Sequence, residues 1–227
     1  MDLKDIRYEQ SSVIGVSDAL LVVDVQNDFM PSGALPVEQG DTIVTGINAL
    51  MKLFSDFSAS VVLTQDWHPA GHHSFASAHK GKAPYDPYDA PGLGPVLWPD
   101  HCVQSTPGAD FHPELDTGMA HAAIRKGYHP FIDSYSGFFE NDRTTPTGLE
   151  GYLHDRGVQR VFVCGLALDY CVFYTALDAI KTGFEVYVVA DLTRAVGSPP
   201  DGVSTALETL ISAGARFVHS PAIRHGA

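Results

Sequence analysis

The chain has 227 residues, 44% of them hydrophobic, enough to bury the core of one large domain. Its 27 acidic residues outweigh 14 basic ones, and the formal charge of -13 repels polyanions at long range, which makes nucleic acid a poor candidate partner. No run of about eighteen apolar residues offers a membrane span. The polar start MDLKDIRYEQSS lacks a signal-peptide core, and three cysteines with no CxxC pair fit a reducing compartment. A cytoplasmic protein with no membrane partner is therefore expected.

Residues 1–18 read as an extension leading into a single domain, 19–227. Ala19 to Val25 (ALLVVDV) is a nearly continuous apolar run, the pattern of a strand buried on both faces, with Asp24 near its end. A loop holding Phe29 follows, then a helix capped by Asp41 with Ile43, Ile47, Leu50, Met51 and Phe54 as its apolar stripe. Ser60 to Thr64 is the second strand and runs into Gln65, Asp66, Trp67 and His68. The stretch from there to about Gly118 is rich in Gly, Pro and His and has little periodicity; so long a loop in a compact domain is expected to serve function.

Ala122 to Ile124 is a short strand ending in Arg125, Lys126 and Gly127, followed by an aromatic-rich loop from Tyr128 to Asp142. Thr145 and Pro146 fit the cap and first position of a helix carrying Leu149, Tyr152 and Leu153. Arg160 to Cys164 is a strand. After a small-residue turn at Gly165, a helix starts near Leu168, with Phe173, Leu177 and Ile180 at helical spacing. A strand from Glu185 to Ala190 ending at Asp191, a helix near Val203 to Ala213 and a strand from Arg216 to His219 complete the chain. The alternation predicts an α/β fold: three layers, doubly wound, a mainly parallel sheet with helices on both faces. Ligands bind such sheets beyond the C-terminal strand ends. Asp24, Asp66, Lys126 and Cys171 all fall there.

Cys171 lies in the first turn of its expected helix. Unpaired N–H groups there favour a thiolate and can also receive an oxyanion. Asp24 can accept the thiol proton, and Lys126 would favour both anions. No local motif ties the three together, and each alone also fits a bland role: a small buried cysteine, a strand-end cap, a solvated lysine. A second group is Asp66-Trp-His68, two strand positions that share a face, with His101 between Pro99 and Pro107. One carboxylate and two imidazoles suit Zn²⁺, Fe²⁺ or Mn²⁺ with open positions left over, and His73 and Ser74 stand near for a fourth contact. His79, His112, His121, His129, His154, His219 and His225 read as solvated surface residues, and Cys102 as a small buried one.

The segments DVQNDFMPSGALPV, TQDWHPAGHHSFAS, LWPDHCVQSTPGADFHPEL, RKGYHPFIDSYSGFFEND and GLALDYCVFYTALDA occur in this order. Together they resemble the nicotinamidase (pyrazinamidase) family of the isochorismatase-like cysteine hydrolases, over about Ala19 to Ser220. The resemblance implies an isochorismatase-like fold and hydrolysis of the carboxamide C–N bond of nicotinamide, or of pyrazinamide, in pyridine-nucleotide salvage. It makes Asp24, Lys126 and Cys171 a catalytic triad and Asp66, His68 and His101 the ligands of a divalent ion, Zn²⁺ first, with Fe²⁺ or Mn²⁺ behind it. It assigns Phe29, Trp98 and Tyr135 to the pocket around the pyridine ring. The oxyanion donors become the N–H groups of Ala167 and Cys171, with a cis peptide at Leu166–Ala167. Leu168 departs from the threonine common in relatives. Nicotinamide is the expected partner, and self-association into a homo-oligomer is left open. Two alternatives stand beside this reading: another isochorismatase-like amidohydrolase, or a catalytically silent ligand-binding module. A nucleotide-binding oxidoreductase is disfavoured, since no G-x-G-x-x-G follows a strand.

Overall fold

The computed structural model describes residues 1–226. Its centre is a seven-stranded sheet in which every pairing is parallel. The strands are β1 (Tyr8–Glu9), β3 (Asp18–Val23), β4 (Ser60–Asp66), β5 (Ala122–Lys126), β6 (Arg160–Leu166), β7 (Glu185–Arg194) and β8 (Arg216–Val218). Across the sheet they run β1-β8-β7-β6-β3-β4-β5. The unbroken apolar run of β3 is explained by its central place, since every residue of that strand is buried. Four helices complete the layers: α1 (Val44–Asp56), α2 (Leu149–Asp155), α3 (Phe173–Lys181) and α4 (Gly202–Ala213). From β3 the chain winds outward through α1 to β4, and from β6 it winds the opposite way through α3 to β7. Right-handed crossovers therefore put α1 and α3 on opposite faces, as a doubly wound fold requires. Among the described residues no helix is long and apolar enough to cross a membrane.

The first 18 residues do more than lead in. β1 pairs with β8 at the sheet edge, and a separate strand, β2 (Ser12–Ile14), pairs in parallel with β9 (Ile223–His225). Three other expectations change. Asp41 caps nothing; it lies in a 3-10 turn, Gly40–Ile43, that feeds α1, while the expected stripe from Ile43 to Phe54 is buried. Thr145 and Pro146 do not open α2. The Thr145 carbonyl accepts the Glu140 N–H and Pro146 bridges Phe139, so this segment closes the preceding loop, and the helix begins after Gly148, whose φ of 98° no threonine would tolerate as well. On α3 the tightly buried side carries Thr175, Ala176 and Ala179, whereas Phe173, Leu177 and Ile180 are half-buried. Small side chains let this helix lie close to the sheet, and the larger ones cover its flank.

The sheet order reverses between β6 and β3, so the two halves diverge at that seam. Val23 and Gly165 are register partners across it. A Cβ on Gly165 would lie 2.1 Å from the Val23 carbonyl oxygen, and the residue has φ of 107°. Only glycine lets the two strands meet there and lets the chain after β6 turn over the end of β3.

Candidate active site

Lys126 ends β5 opposite Asp66, its register partner at the end of β4. Both side chains are buried, Lys126 completely. The ammonium donates to Asp66 Oδ1 and, at 2.9 Å, to the Ser134 carbonyl. It also lies 2.8 Å from Asp24 Oδ2 and 3.5 Å from Cys171 Sγ. Asp24 leaves β3 with φ of 47°, in the left-handed region that Asp tolerates better than most residues. Thr64 holds it there, accepting the Asp24 N–H at 3.2 Å and donating its hydroxyl to Oδ1 at 2.6 Å. The structure thus brings together Asp24, Lys126 and Cys171 from the ends of three strands.

Burial opposes the charge on Lys126, yet Asp24 and Asp66 around it hold its pKa well above the ordinary lysine value. For Asp66, burial pulls upward, but Lys126, His68 and His101 together keep the carboxyl below the usual range. Burial raises the Asp24 carboxyl despite Lys126. The Cys171 thiol corrects the expectation of a ready thiolate: burial pushes it well above the ordinary cysteine value, and Lys126 offsets only part of that. The reason is local. Cys171 is not in the first turn of an α-helix but in a π turn, Leu168–Val172, that precedes α3, and it is 5% exposed.

Lys126→Met should therefore leave two buried carboxyls without their counter-charge. The expected loss is about 3–5 kcal/mol, read as a lower urea midpoint. Asp66 has a depressed folded-state pKa, so the stability it confers is present above the ordinary carboxylate range and drains as pH falls. The gap between wild type and variant should accordingly persist from neutral pH down to the ordinary carboxylate range and narrow as pH falls below about 4. A gap that stays constant with pH would mean that Lys126 does not carry the charge balance of this cluster.

The second group sits beside the first. Asp66 Oδ2 is 3.6 Å from His68 Nε2 and 3.9 Å from His101 Nε2. His68 Nδ1 lies 2.8 Å from the Gly127 carbonyl oxygen, and His101 Nδ1 lies 2.8 Å from that of Pro99. A carbonyl only accepts, so both Nδ1 atoms carry hydrogen and both Nε2 atoms present lone pairs to Asp66. Gly127 is a second required glycine, since a Cβ there would reach 2.5 Å from the His68 ring. His68 Nε2 is buried without any hydrogen-bond partner. Two inward lone pairs, one of them on this orphaned buried nitrogen, and one carboxylate fit a divalent cation. Burial, with His68 beside it, lowers His101 to about 4, so it is neutral and able to ligate. Burial also pulls His68 down, but Asp66 outweighs it and raises this imidazole, so a proton competes there with any cation.

Both groups open on one pocket of about 340 Å³ including its mouth. Phe29, Trp98, Tyr135 and Ala167 line it with Cys171, His101 and Asp66, and Tyr170 joins them. Trp98 donates its indole N–H to Tyr135 Oη at 2.9 Å, which fixes one wall, and Tyr170 packs edge-on to Trp98 at 4.8 Å. Ala167 starts the π turn, its carbonyl accepting the N–H groups of Tyr170 and Val172, and the Leu166–Ala167 peptide is cis.

Several contributors escape the sequence reading. The Gln26 amide exchanges hydrogen bonds with the Asp66 backbone, both at 2.8 Å, and so anchors the end of β4. Asp169 accepts the N–H groups of Val196 and Gly197 and pins that loop to the nucleophile turn. Asp133 lines the pocket, and His72 lies buried beneath His68. The fourth-contact candidates do not join the ligand set. His73 turns its ring to Phe131, and the Ser74 hydroxyl pairs with His72 Nδ1 at 2.7 Å.

The isochorismatase domain family model matches residues 18–221. A nicotinamidase of Acinetobacter baylyi is 51% identical over 178 residues, 78% of this chain and 81% of that protein. PnC1 of L. infantum, solved in complex with nicotinate, is 40% identical with a TM-score of 0.82, over 95% of this chain and 98% of that one. A pyrazinamidase of Pyrococcus horikoshii solved in complex with zinc is 41% identical with a TM-score of 0.73, over 89% and 99%. With the all-parallel sheet, the cysteine on the turn after β6 and the Asp-x-His end of β4, these similarities settle the lineage: the chain belongs to the isochorismatase family, in its nicotinamidase branch.

Proposed function

We propose that the protein is a nicotinamidase that hydrolyses nicotinamide, and pyrazinamide, to the carboxylic acid and ammonia. One observation carries the reading. A fully buried Lys126 touches Asp24, Asp66 and Cys171 at the foot of a pocket walled by aromatic rings.

The amide enters between Phe29 and Trp98. Because the resting thiol is neutral, attack is concerted with deprotonation: Asp24 takes the Cys171 proton as sulfur bonds to the amide carbon. The upward shift of Asp24 suits a group that must hold this proton and then deliver it to the departing amine. The N–H groups of Ala167 and Cys171 receive the oxyanion. Such donors are worth about 3–4 kcal/mol each in the transition state. Lys126 keeps Asp24 in place and stabilises negative charge on either partner. Asp24 then activates the water that cleaves the thioester. Asp66, His68 and His101 would hold a divalent ion, with Zn²⁺ favoured. When bound, that ion would supply Lewis acidity at the ring end of the pocket, a chemistry suited to a pyridine nitrogen.

The direct test is ammonia release from nicotinamide by purified protein. Treatment with a chelator should remove most of the activity, and Zn²⁺, Fe²⁺ or Mn²⁺ should restore it. Absence of ammonia with metal present would overturn the reading.

A further inference from the structure

The metal-binding group contains three protein donors, Asp66, His68 and His101, and leaves one neighbouring carboxyl oxygen unpaired. Asp133 is 1% exposed and lines the pocket, yet its Oδ2 is buried with no hydrogen-bond partner. Such an atom costs free energy unless something absent from the protein completes it. Its neighbours define what that is. Asp133 Oδ1 lies 3.9 Å from His68 Nε2 and accepts the Ser134 N–H at 2.8 Å. The Asp133 backbone is fixed on both sides: its N–H donates to the Gly92 carbonyl at 2.8 Å, and its own carbonyl accepts the Asn141 N–H at 2.7 Å. The side chain is therefore held facing the pocket by contacts that owe nothing to a ligand.

His72 does not complete this carboxyl. Its Nε2 faces the carbonyl oxygens of His129 and Ile132, at 2.8 and 3.2 Å, and its Nδ1 takes the N–H and hydroxyl of Ser74, at 3.1 and 2.7 Å. Both nitrogens are occupied. Asp133 also stands outside the Asp66, His68 and His101 set, sharing only His68 with it. An acceptor one layer beyond the ligands, aimed at the same space, is matched by a donor carried on the ion itself.

We infer that Asp133 is a positioning residue for the metal site, its Oδ2 accepting a hydrogen bond from water bound to the divalent ion. The inference rests on the metal reading of Asp66, His68 and His101. Partners of this kind change metal affinity by about 10–100-fold when removed. Asp133→Asn is the informative variant. The amide oxygen can still accept the Ser134 N–H, while an amide nitrogen replaces the free acceptor.

Zinc affinity, measured by competition with a chromophoric chelator, should fall about 10–100-fold in Asp133→Asn. The thermal midpoint of the metal-free protein should match wild type, and the visible spectrum of the Co²⁺-loaded variant should change. Wild-type zinc affinity in this variant, beside loss of zinc in His101→Ala, would overturn the role of Asp133 and leave the metal reading standing. An equal loss of metal-free stability would assign Asp133 to the scaffold and overturn the inference as well. A wild-type protein that takes up no zinc would overturn both.

Discussion

Cys171→Ala should lower kcat for nicotinamide hydrolysis on the order of 10⁶-fold, the scale seen when a nucleophile that works as part of a unit is deleted. Folding should survive. The change removes one sulfur atom from a small side chain, and Lys126 keeps its contacts with Asp24, Asp66 and the Ser134 carbonyl. Nicotinamide binding should persist, because the aromatic walls and the histidines are untouched. Iodoacetamide separates the three thiols independently of turnover. Cys102 and Cys164 are fully buried, whereas Cys171 lines the pocket, so it should be alkylated first and be protected by nicotinamide. Its thiol is pushed up by burial, so labelling should be slow at neutral pH and accelerate as pH rises. Mass spectrometry that finds Cys102 labelled first, with activity retained after labelling, would remove Cys171 from the mechanism.

Benzamide should be a substrate about 10⁴-fold poorer than nicotinamide in kcat/KM. The two amides have the same ring size and the same reacting group, and they differ at one ring atom. Phe29 and Trp98 cannot tell them apart by packing. The His101 ring, however, sits 5.6 Å from Phe29 and 6.5 Å from Trp98, so the metal-binding group lies between the walls that would hold the ring. A C–H in place of the nitrogen leaves that end of the pocket without its polar contact and frees the ring to rotate away from Cys171. Sites built around one polar contact reject analogues that lack it far more strongly than sites built on shape. Equal turnover of the two amides would show that Asp66, His68 and His101 hold no ion that reads the ring.

The parts of the fold that were legible are those where one residue type serves one physical need. Double burial makes β3 apolar from Ala19 to Val23, and the parallel layout follows from strands alternating with helices. Polar residues at strand ends pointed to the cleft because nothing in the core would tolerate them. Asp24, Asp66, Lys126 and Cys171 carried that signal, and the structure gathers all four. What was not legible depended on distant partners. Gln26 finds the backbone of Asp66, Asp133 finds Gly92 and Asn141, and Asp169 finds Val196 and Gly197; no spacing within a window announces these pairs. The aromatic-rich loop from Tyr128 to Asp142 entered the reading only through Tyr135, which the family resemblance assigned to the pocket, and Asp133 beside it went unremarked. The Cys171 thiol was misjudged for a related reason: helix-start position is a local cue, whereas burial is set by the whole pocket. β7 extends to Arg194, beyond the expected end at Asp191, because β6 resumes pairing with it after a register shift.

The edge strand β1 has a consequence for how the protein is made. Tyr8 and Glu9 pair only with Phe217 and Val218, near the opposite end of the chain. During synthesis β1 emerges first and must wait for almost the entire polypeptide before its partner exists. β7, which β8 will flank, likewise presents an open edge on the nascent chain while α4 is still being made. An exposed strand edge templates pairing with other chains. Between translation of Arg194 and of Val218 the nascent chain therefore carries a strand edge open to other chains, and β8 closes it.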